Sequence, residues 1–341
     1  MSIFWFFLLA IVLVKCDDNW AVIISSSKYY YNYRHTVNAL LIYQMLKKYG
    51  FDDDHIILML PENHQCHPRN NYPGKIYDGF KSDNLMNEVF VDYRGLEVHP
   101  DSIVNLLTGR HSESFPNSKR LNSGPNSKVF IYLTGHAGNG YYKIQDTLVL
   151  KSMDIANIVY EMYYKQRFGE LMIFIDSCQS FSIYDYIDLP GVHGLSSSLV
   201  GQPSKSYGQH SNLGLSTTDQ FTYHFTELFR GRNATSIKKM SMENIVKQLP
   251  MSLIKSQIGF KSQQKSYAIF IADFITSSYK KPEDLKIEVV AKECEGKIWE
   301  KVVHKTQIKF QEVSYIEESY PIRGLLIVFV GFLVFYISNL F

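Results

Sequence analysis

Four short apolar runs, each bounded by polar or turn-forming residues, predict the strands of a buried sheet. They are almost continuously hydrophobic, as strands covered on both faces are. The runs are Trp20–Ser25, His55–Leu60, Lys128–Leu133 and Leu171–Ile175. The same pattern predicts a hairpin near residues 89–93 and a late strand over Ser266–Phe274.

Helices are predicted between these strands. Val37, Leu41 and Met45 recur every four residues and mark the core face of a helix over residues 33–48. A second helix is predicted over residues 152–167. Alternation of strands and helices predicts an α/β fold with a mostly parallel sheet and helices on both faces, a three-layer αβα sandwich. Ligands bind such sheets beyond the carboxyl ends of their strands.

Two reactive residue types follow neighbouring strands of this predicted sheet. His136 comes three residues after the run ending at Leu133, and Cys178 three residues after the run ending at Ile175. Both are therefore expected on one rim of the sheet. An imidazole can take the proton of a nearby thiol and give a thiolate nucleophile that attacks carbonyls. A lone cysteine after a strand is more often a small buried apolar residue, and it is the matched position of the histidine that favours catalysis.

Acyl transfer by a thiolate also needs N–H donors for the oxyanion. The backbone amides of Cys178 and of the loop after His136, at Ala137 or Gly138, are the candidates.

Both ends of the chain carry apolar segments. Residues 3–14 are too short to span a bilayer, and with Cys16 they predict a signal peptide over 1–16; a buried N-terminal strand is the alternative. Residues 324–341 carry no charged side chain and would reach about 27 Å as a helix, which predicts a transmembrane helix over 323–341 rather than a core helix. A catalytic domain over 17–275 and a luminal stalk over 276–322 lie between them.

Composition narrows the possible classes of function. The chain has 341 residues, 45% of them hydrophobic, which suits one large domain with appendages. Its 35 basic and 33 acidic residues form no basic stripe, so no nucleic-acid partner is expected. Without Cys16 the cysteines are Cys66, Cys178 and Cys294, an odd number that implies a free reactive thiol or a bond to another chain. The sequon at Asn233 fits luminal glycosylation.

Several motifs in order resemble the catalytic subunits of glycosylphosphatidylinositol (GPI) transamidases, legumain-like members of the caspase-fold cysteine peptidases. The resemblance covers residues 19 to about 228. The motifs are Tyr31-Asn32-Tyr33-Arg34-His35, Cys66-His67-Pro68-Arg69-Asn70, Val91-Asp92-Tyr93-Arg94, Leu106-Leu107-Thr108-Gly109-Arg110, Leu133-Thr134-Gly135-His136 with Lys143, Gln145 and Asp146 downstream, and Ile175-Asp176-Ser177-Cys178-Gln179.

The resemblance implies a caspase-like fold and a role for each matching residue. His136 would be the general base, Cys178 the nucleophile and Asn32 the group that orients the imidazole. Cys66 would form a disulfide with a partner subunit. Ala137 replaces the family's glycine, where a positive φ would cost alanine about 1 kcal/mol or more.

The resemblance also implies residues for substrate and metal. Ser197 and Ser198 would contact substrate. The oxygens of Asp53, Ile56 (by its carbonyl) and Asp92 would form a structural calcium site, although Phe90 stands where a further carboxylate is expected. No cofactor is needed for the chemistry itself.

The expected enzyme cleaves the C-terminal signal of proproteins through a thioester and transfers the acyl group to the ethanolamine amine of a GPI anchor. It would be a single-pass type I protein of the endoplasmic reticulum membrane, assembled with other transamidase subunits. The alternatives are a legumain-like endopeptidase that hydrolyses the thioester and an inactive scaffold subunit.

Overall fold

A seven-stranded sheet lies at the centre of the computed structural model, which describes residues 19–80 and 83–277. The strands of the described residues are β1 (Trp20–Ser25), β2 (Ile56–Leu60), β3 (Tyr93–Arg94), β4 (Lys128–Thr134), β5 (Ala137–Gly138), β6 (Tyr141–Ile144), β7 (Leu148–Lys151), β8 (Glu170–Asp176), β9 (Val192–Ser196), β10 (Ser206–His210), β11 (Leu215–Asp219) and β12 (Gly259–Ser262). The helices are α1 (Tyr33–Lys48), α2 (Pro100–Thr108), α3 (Ser152–Tyr164), α4 (Gln220–Arg230), α5 (Ala234–Ile237), α6 (Met242–Gln248), α7 (Met251–Ile254) and α8 (Ala272–Ile275).

The central sheet has the order β12-β9-β8-β4-β1-β2-β3. Its strands from β9 to β3 pair in parallel, and only β12 runs antiparallel to its neighbour β9. Strands β5, β6 and β7 form a small antiparallel sheet, and β10 and β11 form a two-stranded one. The mixed α/β class with a mostly parallel central sheet is thus confirmed, and it fits a caspase-like fold.

Alternate residues of β1 show the three layers. Ala21 and Ile23 pack into a core that includes residues of α1, α4 and α6. Trp20, Val22 and Ile24 pack into a second core with residues of α2 and α3. Because successive side chains of a strand point to opposite faces, the sheet is covered by helices on both sides. This double burial explains why the central strands are continuously apolar.

Two predicted elements are wrong. The segment near residues 89–93 is no hairpin, because Asp92 exchanges hydrogen bonds with Leu58 (2.9 and 2.8 Å) that hold the following β3 parallel to β2. The late apolar run beginning at Ser266 forms a 3₁₀ turn and α8 instead of a strand. The antiparallel edge strand is β12, a few residues earlier.

The predicted signal peptide (1–16), almost all of the stalk (276–322) and the transmembrane helix (323–341) lie outside the described residues. Within residues 19–80 and 83–277, the structure contains no helix that is both long and apolar enough to cross a membrane.

Candidate active site

The carboxyl ends of β4 and β8 bring the predicted base and nucleophile together. The two strands are paired in register up to Thr134 and Asp176, so His136 and Cys178 each lie two residues beyond a matched pair. The loops that carry them are joined directly, since Ser177 Oγ donates to the Gly135 carbonyl oxygen (2.7 Å). The sequence prediction of one shared rim therefore agrees with the structure.

Asn32, which lies between β1 and α1, contacts the ring of His136. Its Oδ1 atom is 2.9 Å from His136 Nε2. The amide orientation is fixed because Asn32 Nδ2 donates to the Lys28 carbonyl oxygen (2.7 Å). Oδ1 can only accept, so Nε2 of the neutral ring carries the proton and Nδ1 has the free lone pair. Nδ1 is thus the atom able to take the thiol proton, and Asn32 is placed where the orienting group of a triad is needed.

Burial and positive neighbours keep His136 neutral. Desolvation is the largest cause that lowers its pKa, the Arg34 guanidinium is the next, and Lys143 adds to it. Asp146 acts in the opposite direction. Its Oδ1 lies 3.9 Å from His136 Nε2. A histidine whose pKa lies below its ordinary value is neutral at physiological pH and can act as a base.

The Cys178 loop presents a free backbone donor. Ser177 N–H donates to Ser197 Oγ (3.1 Å), and Gln179 N–H donates to the Gln202 carbonyl oxygen (2.9 Å). Among the described residues, the Cys178 N–H between them has no hydrogen-bond acceptor. A backbone N–H that has no acceptor of its own, between two residues whose N–H groups are hydrogen-bonded, is suited to stabilise an oxyanion. Gln179 has a φ of 53°, a strained left-handed conformation that sharpens this turn.

The thiol of Cys178 is half-buried, and its Sγ lies 3.9 Å from the Ser204 carbonyl oxygen. Within the described residues, no hydrogen bond joins Sγ to the His136 ring. Hydrogen bonds of a catalytic pair are often long in the substrate-free state and tighten when substrate binds.

Ser197 and Ser198 are fully buried beneath the nucleophile loop. Each Oγ donates to the Ser177 carbonyl oxygen, at 3.2 and 2.7 Å, and Ser198 Oγ also accepts from Ser180 N–H (3.3 Å). These contacts hold the backbone on both sides of Cys178. The predicted contact of the two serines with substrate stays a prediction.

The loop after His136 needs no left-handed residue at its first position. Residues with positive φ in the described chain do not include Ala137, which begins β5, so the anticipated backbone strain is absent. Gly138 follows it in β5 and is buried. Glycine is required at Gly135, where a Cβ would overlap Ser26 Oγ and lie 3.0 Å from Tyr142 Oη.

A buried polar cluster lies beside His136, and it is not predicted from the sequence. Asp219, at the end of β11, accepts from Arg34 Nε (3.2 Å) and Asn38 Nδ2 (2.6 Å). The ring of His35 lies 3.6 Å from the same carboxylate and packs edge-on against His136, with ring centroids 5.0 Å apart. Burial raises the pKa of Asp219 to about 7, and Arg34 opposes this shift. The feature of the sequence that could have indicated this cluster is the presence of polar residues on the buried face of α1.

Two further predicted positions lie at the surface. Cys66 is an exposed free thiol, as a cysteine that bonds another chain must be. Asn233 is exposed at the start of α5, where its Oδ1 accepts from Ser236 N–H (2.9 Å) and leaves Nδ2 accessible. Its glycosylation stays a prediction.

The predicted calcium ligands already have protein partners. Asp53 contacts Tyr43 Oη and pairs with Lys47 Nζ (2.9 Å), while Asp92 accepts from Leu58 N–H (2.8 Å). Burial raises the pKa of Asp92 to about 6, and the nearby Asp53 adds to the shift. Two interacting carboxylates favour the binding of a cation. Calcium takes about six to eight oxygens, however, and the described residues contain no group of three or more metal-ligating side chains.

Comparison with known proteins agrees with this arrangement of cysteine and histidine. The sequence pattern of the peptidase C13 family matches residues 19–269, and the chain belongs to this family of cysteine-type peptidases. A putative GPI-anchor transamidase of Caenorhabditis elegans is 37% identical over 266 residues, which cover 76% of this chain and 83% of that protein. GPI-anchor transamidases of Bos taurus and Homo sapiens are 33% and 32% identical over 316 residues, covering 91% of this chain and 79% of theirs.

Proposed function

We propose that the chain is the catalytic subunit of a GPI-anchor transamidase, acting through a thioester on Cys178. The observation that carries the proposal is the joined pair of loops after β4 and β8. They hold an oriented neutral histidine, a half-buried thiol and an open backbone amide on one rim. The similarity to named transamidases over 76–91% of the chain supports this activity over other reactions of a cysteine nucleophile.

The chemical steps follow from these groups. His136 Nδ1 takes the Cys178 proton, and the thiolate attacks the carbonyl carbon of the attachment residue. The Cys178 N–H stabilises the oxyanion. The C–N bond then breaks, and His136 returns its proton to the leaving amine. The amine of the anchor's ethanolamine phosphate attacks the thioester, gives up a proton to His136 and releases the thiol as a new amide forms.

The cellular setting belongs to the same proposal. A signal peptide over 1–16 and a span over 323–341 would place the domain in the lumen of the endoplasmic reticulum as a type I membrane protein. There the proprotein signal and the GPI lipid are both held at the membrane, and tethering raises their effective concentration. Cys66 would bond a partner subunit. Asp53, the carbonyl of Ile56 and Asp92 would supply three of the roughly six to eight oxygens of a structural calcium site.

Trapping with hydrazine tests transfer against hydrolysis. The full-length chain in its membrane complex is given a proprotein with a C-terminal signal and hydrazine, a small amine nucleophile. We expect the proprotein hydrazide, and we expect it to vanish in Cys178→Ser but persist in the matched control Cys294→Ser. Free acid without hydrazide would instead indicate an endopeptidase. Hydrazide formed by Cys178→Ser would indicate a scaffold subunit.

A further inference from the structure

A strained turn lies directly behind Asn32. Gln145 and Asp146 both adopt positive φ, 51° and 63°, a left-handed conformation that is strained for residues other than glycine. The turn is held from two sides. Gln145 N–H donates to the Ser26 carbonyl oxygen (2.6 Å), and its Nε2 donates to the carbonyl oxygens of Gly95 (3.0 Å) and Val98 (2.7 Å). Strain that neighbours enforce in this way is typical of functional sites.

The turn places the carboxylate of Asp146 beside the side chains of Asn32 and His136. Its Oδ2 accepts from Lys28 N–H (2.9 Å) and from Asn32 Nδ2 (3.4 Å). Its Oδ1 lies 3.9 Å from His136 Nε2, and its side chain is 15% exposed. The two acceptors of Asn32 Nδ2 are therefore the Lys28 carbonyl and this carboxylate, and together they keep Asn32 Oδ1 turned toward the histidine.

We propose that Asp146 is a positioning residue for the reaction. It locks the Asn32 amide in the orientation that holds His136, and its charge stabilises the imidazolium that forms when the thiol proton moves to Nδ1. This inference rests on the proposed Cys178 chemistry but not on which acyl donor or amine the enzyme uses. Asp146 itself neither gains nor loses a proton in the step.

The other charged and titratable groups that face His136 make the carboxylate necessary. From α1 come Arg34 and the ring of His35, and from β6 comes Lys143. Arg34 and Lys143 both disfavour an imidazolium, and Asp146 favours it. A thiolate–imidazolium pair beside two cations therefore depends on a negative group near Nε2.

The test measures alkylation of Cys178 by iodoacetamide against pH, read on the Cys178 peptide by mass spectrometry, in the full chain within its complex. In Asp146→Asn we expect the rate at neutral pH to fall about tenfold to a hundredfold, as for loss of a hydrogen bond to a charged group. The rise of the rate with pH should move to higher pH, because the thiolate forms less readily when the imidazolium loses its counter-charge. Asp146→Glu, which keeps the charge, should retain the wild-type position of that rise.

Asp154→Asn is the matched control, because Asp154 also accepts a backbone N–H (from Lys151, 2.9 Å) at an exposed site on α3. The proposal would be overturned if the pH profile of Asp146→Asn coincided with that of Asp154→Asn. It would also be overturned if Asp146→Glu changed the profile as much as Asp146→Asn does. Alkylation needs neither proprotein nor anchor. A wild-type profile in Asp146→Asn thus counts against Asp146 alone, and failed hydrazide formation in the unmodified enzyme counts against the proposed function.

Discussion

Replacing Asn32 with alanine removes the one side-chain oxygen placed 2.9 Å from His136 Nε2 in the described structure. Asn32 is fully buried, so water cannot readily take its place. The change leaves the Nε2 proton without its acceptor and the Lys28 carbonyl oxygen without its donor. The ring is then free to turn toward Asp146, which withdraws Nδ1 from the thiol side.

The expected loss follows from the hydrogen bond. Leaving a buried polar group without its partner costs about 1–3 kcal/mol, which corresponds to about fivefold to 150-fold in rate. The bond orients the base and touches no substrate. We therefore expect kcat for hydrazide formation to carry the loss and KM to change by less than about threefold.

The assay is hydrazide formation by the full-length complex over a range of proprotein concentrations, with thermal unfolding measured in parallel. Asn117→Ala is the matched control, an exposed asparagine that begins the 3₁₀ turn Asn117–Lys119 between α2 and β4, and it should keep both parameters. A kcat for Asn32→Ala within threefold of wild type would refute the orienting role. So would a loss confined to KM, because that would make Asn32 a substrate contact.

Three other changes test separate parts of the structure. Gly135→Ala should lower Tm by several degrees, since overpacking against Ser26 costs about 1–3 kcal/mol; an unchanged Tm in a melting experiment would contradict the tight approach of these loops. Burial raises the pKa of the Asp92 carboxyl in the folded protein to about 6, above its ordinary 3.8. Its contribution to the free energy of unfolding is therefore fully present below about pH 4 and is lost as the pH rises through about 6. In EDTA, Asp92→Asn should therefore melt above wild type at pH 7, with the gap closing toward pH 4. A rise in wild-type Tm on adding calcium, absent in Asp92→Asn, would support the proposed metal site. Cys66→Ser should remove a disulfide-linked species from non-reducing gels, and its persistence would exclude Cys66 as the bonded residue.

The central strands were predictable because their environment is uniform. Strands such as β4 and β8 are buried on both faces between their ends, so apolar residues fill positions 129–133 and 171–175, and the pattern marks both strands plainly. Parallel strands end on the same rim, which is enough to place His136 beside Cys178 without any contact being known. These parts of the site depend on local sequence and on topology alone.

The missed parts depend on contacts distant along the chain. The sequence of β9 contains polar residues, yet the whole strand is buried. Its burial depends on contacts with other elements, because His193 Nδ1 is 2.8 Å from Ser262 Oγ on β12 and Gly194 leaves room for the ring of Tyr184. The Arg34–Asp219 pair joins residues 185 positions apart. No periodicity in the sequence reports such pairings, and the same holds for the carboxylate of Asp146 behind Asn32.

We propose that Cys178 forms the acyl-enzyme from which a protein is transferred to its GPI anchor. The most direct test is restoration of a GPI-anchored reporter at the surface of cells that lack their own transamidase. We expect the full-length chain to restore the reporter, and Cys178→Ala to assemble at equal abundance and restore none. Surface reporter in cells carrying only Cys178→Ala would show that Cys178 is not the nucleophile.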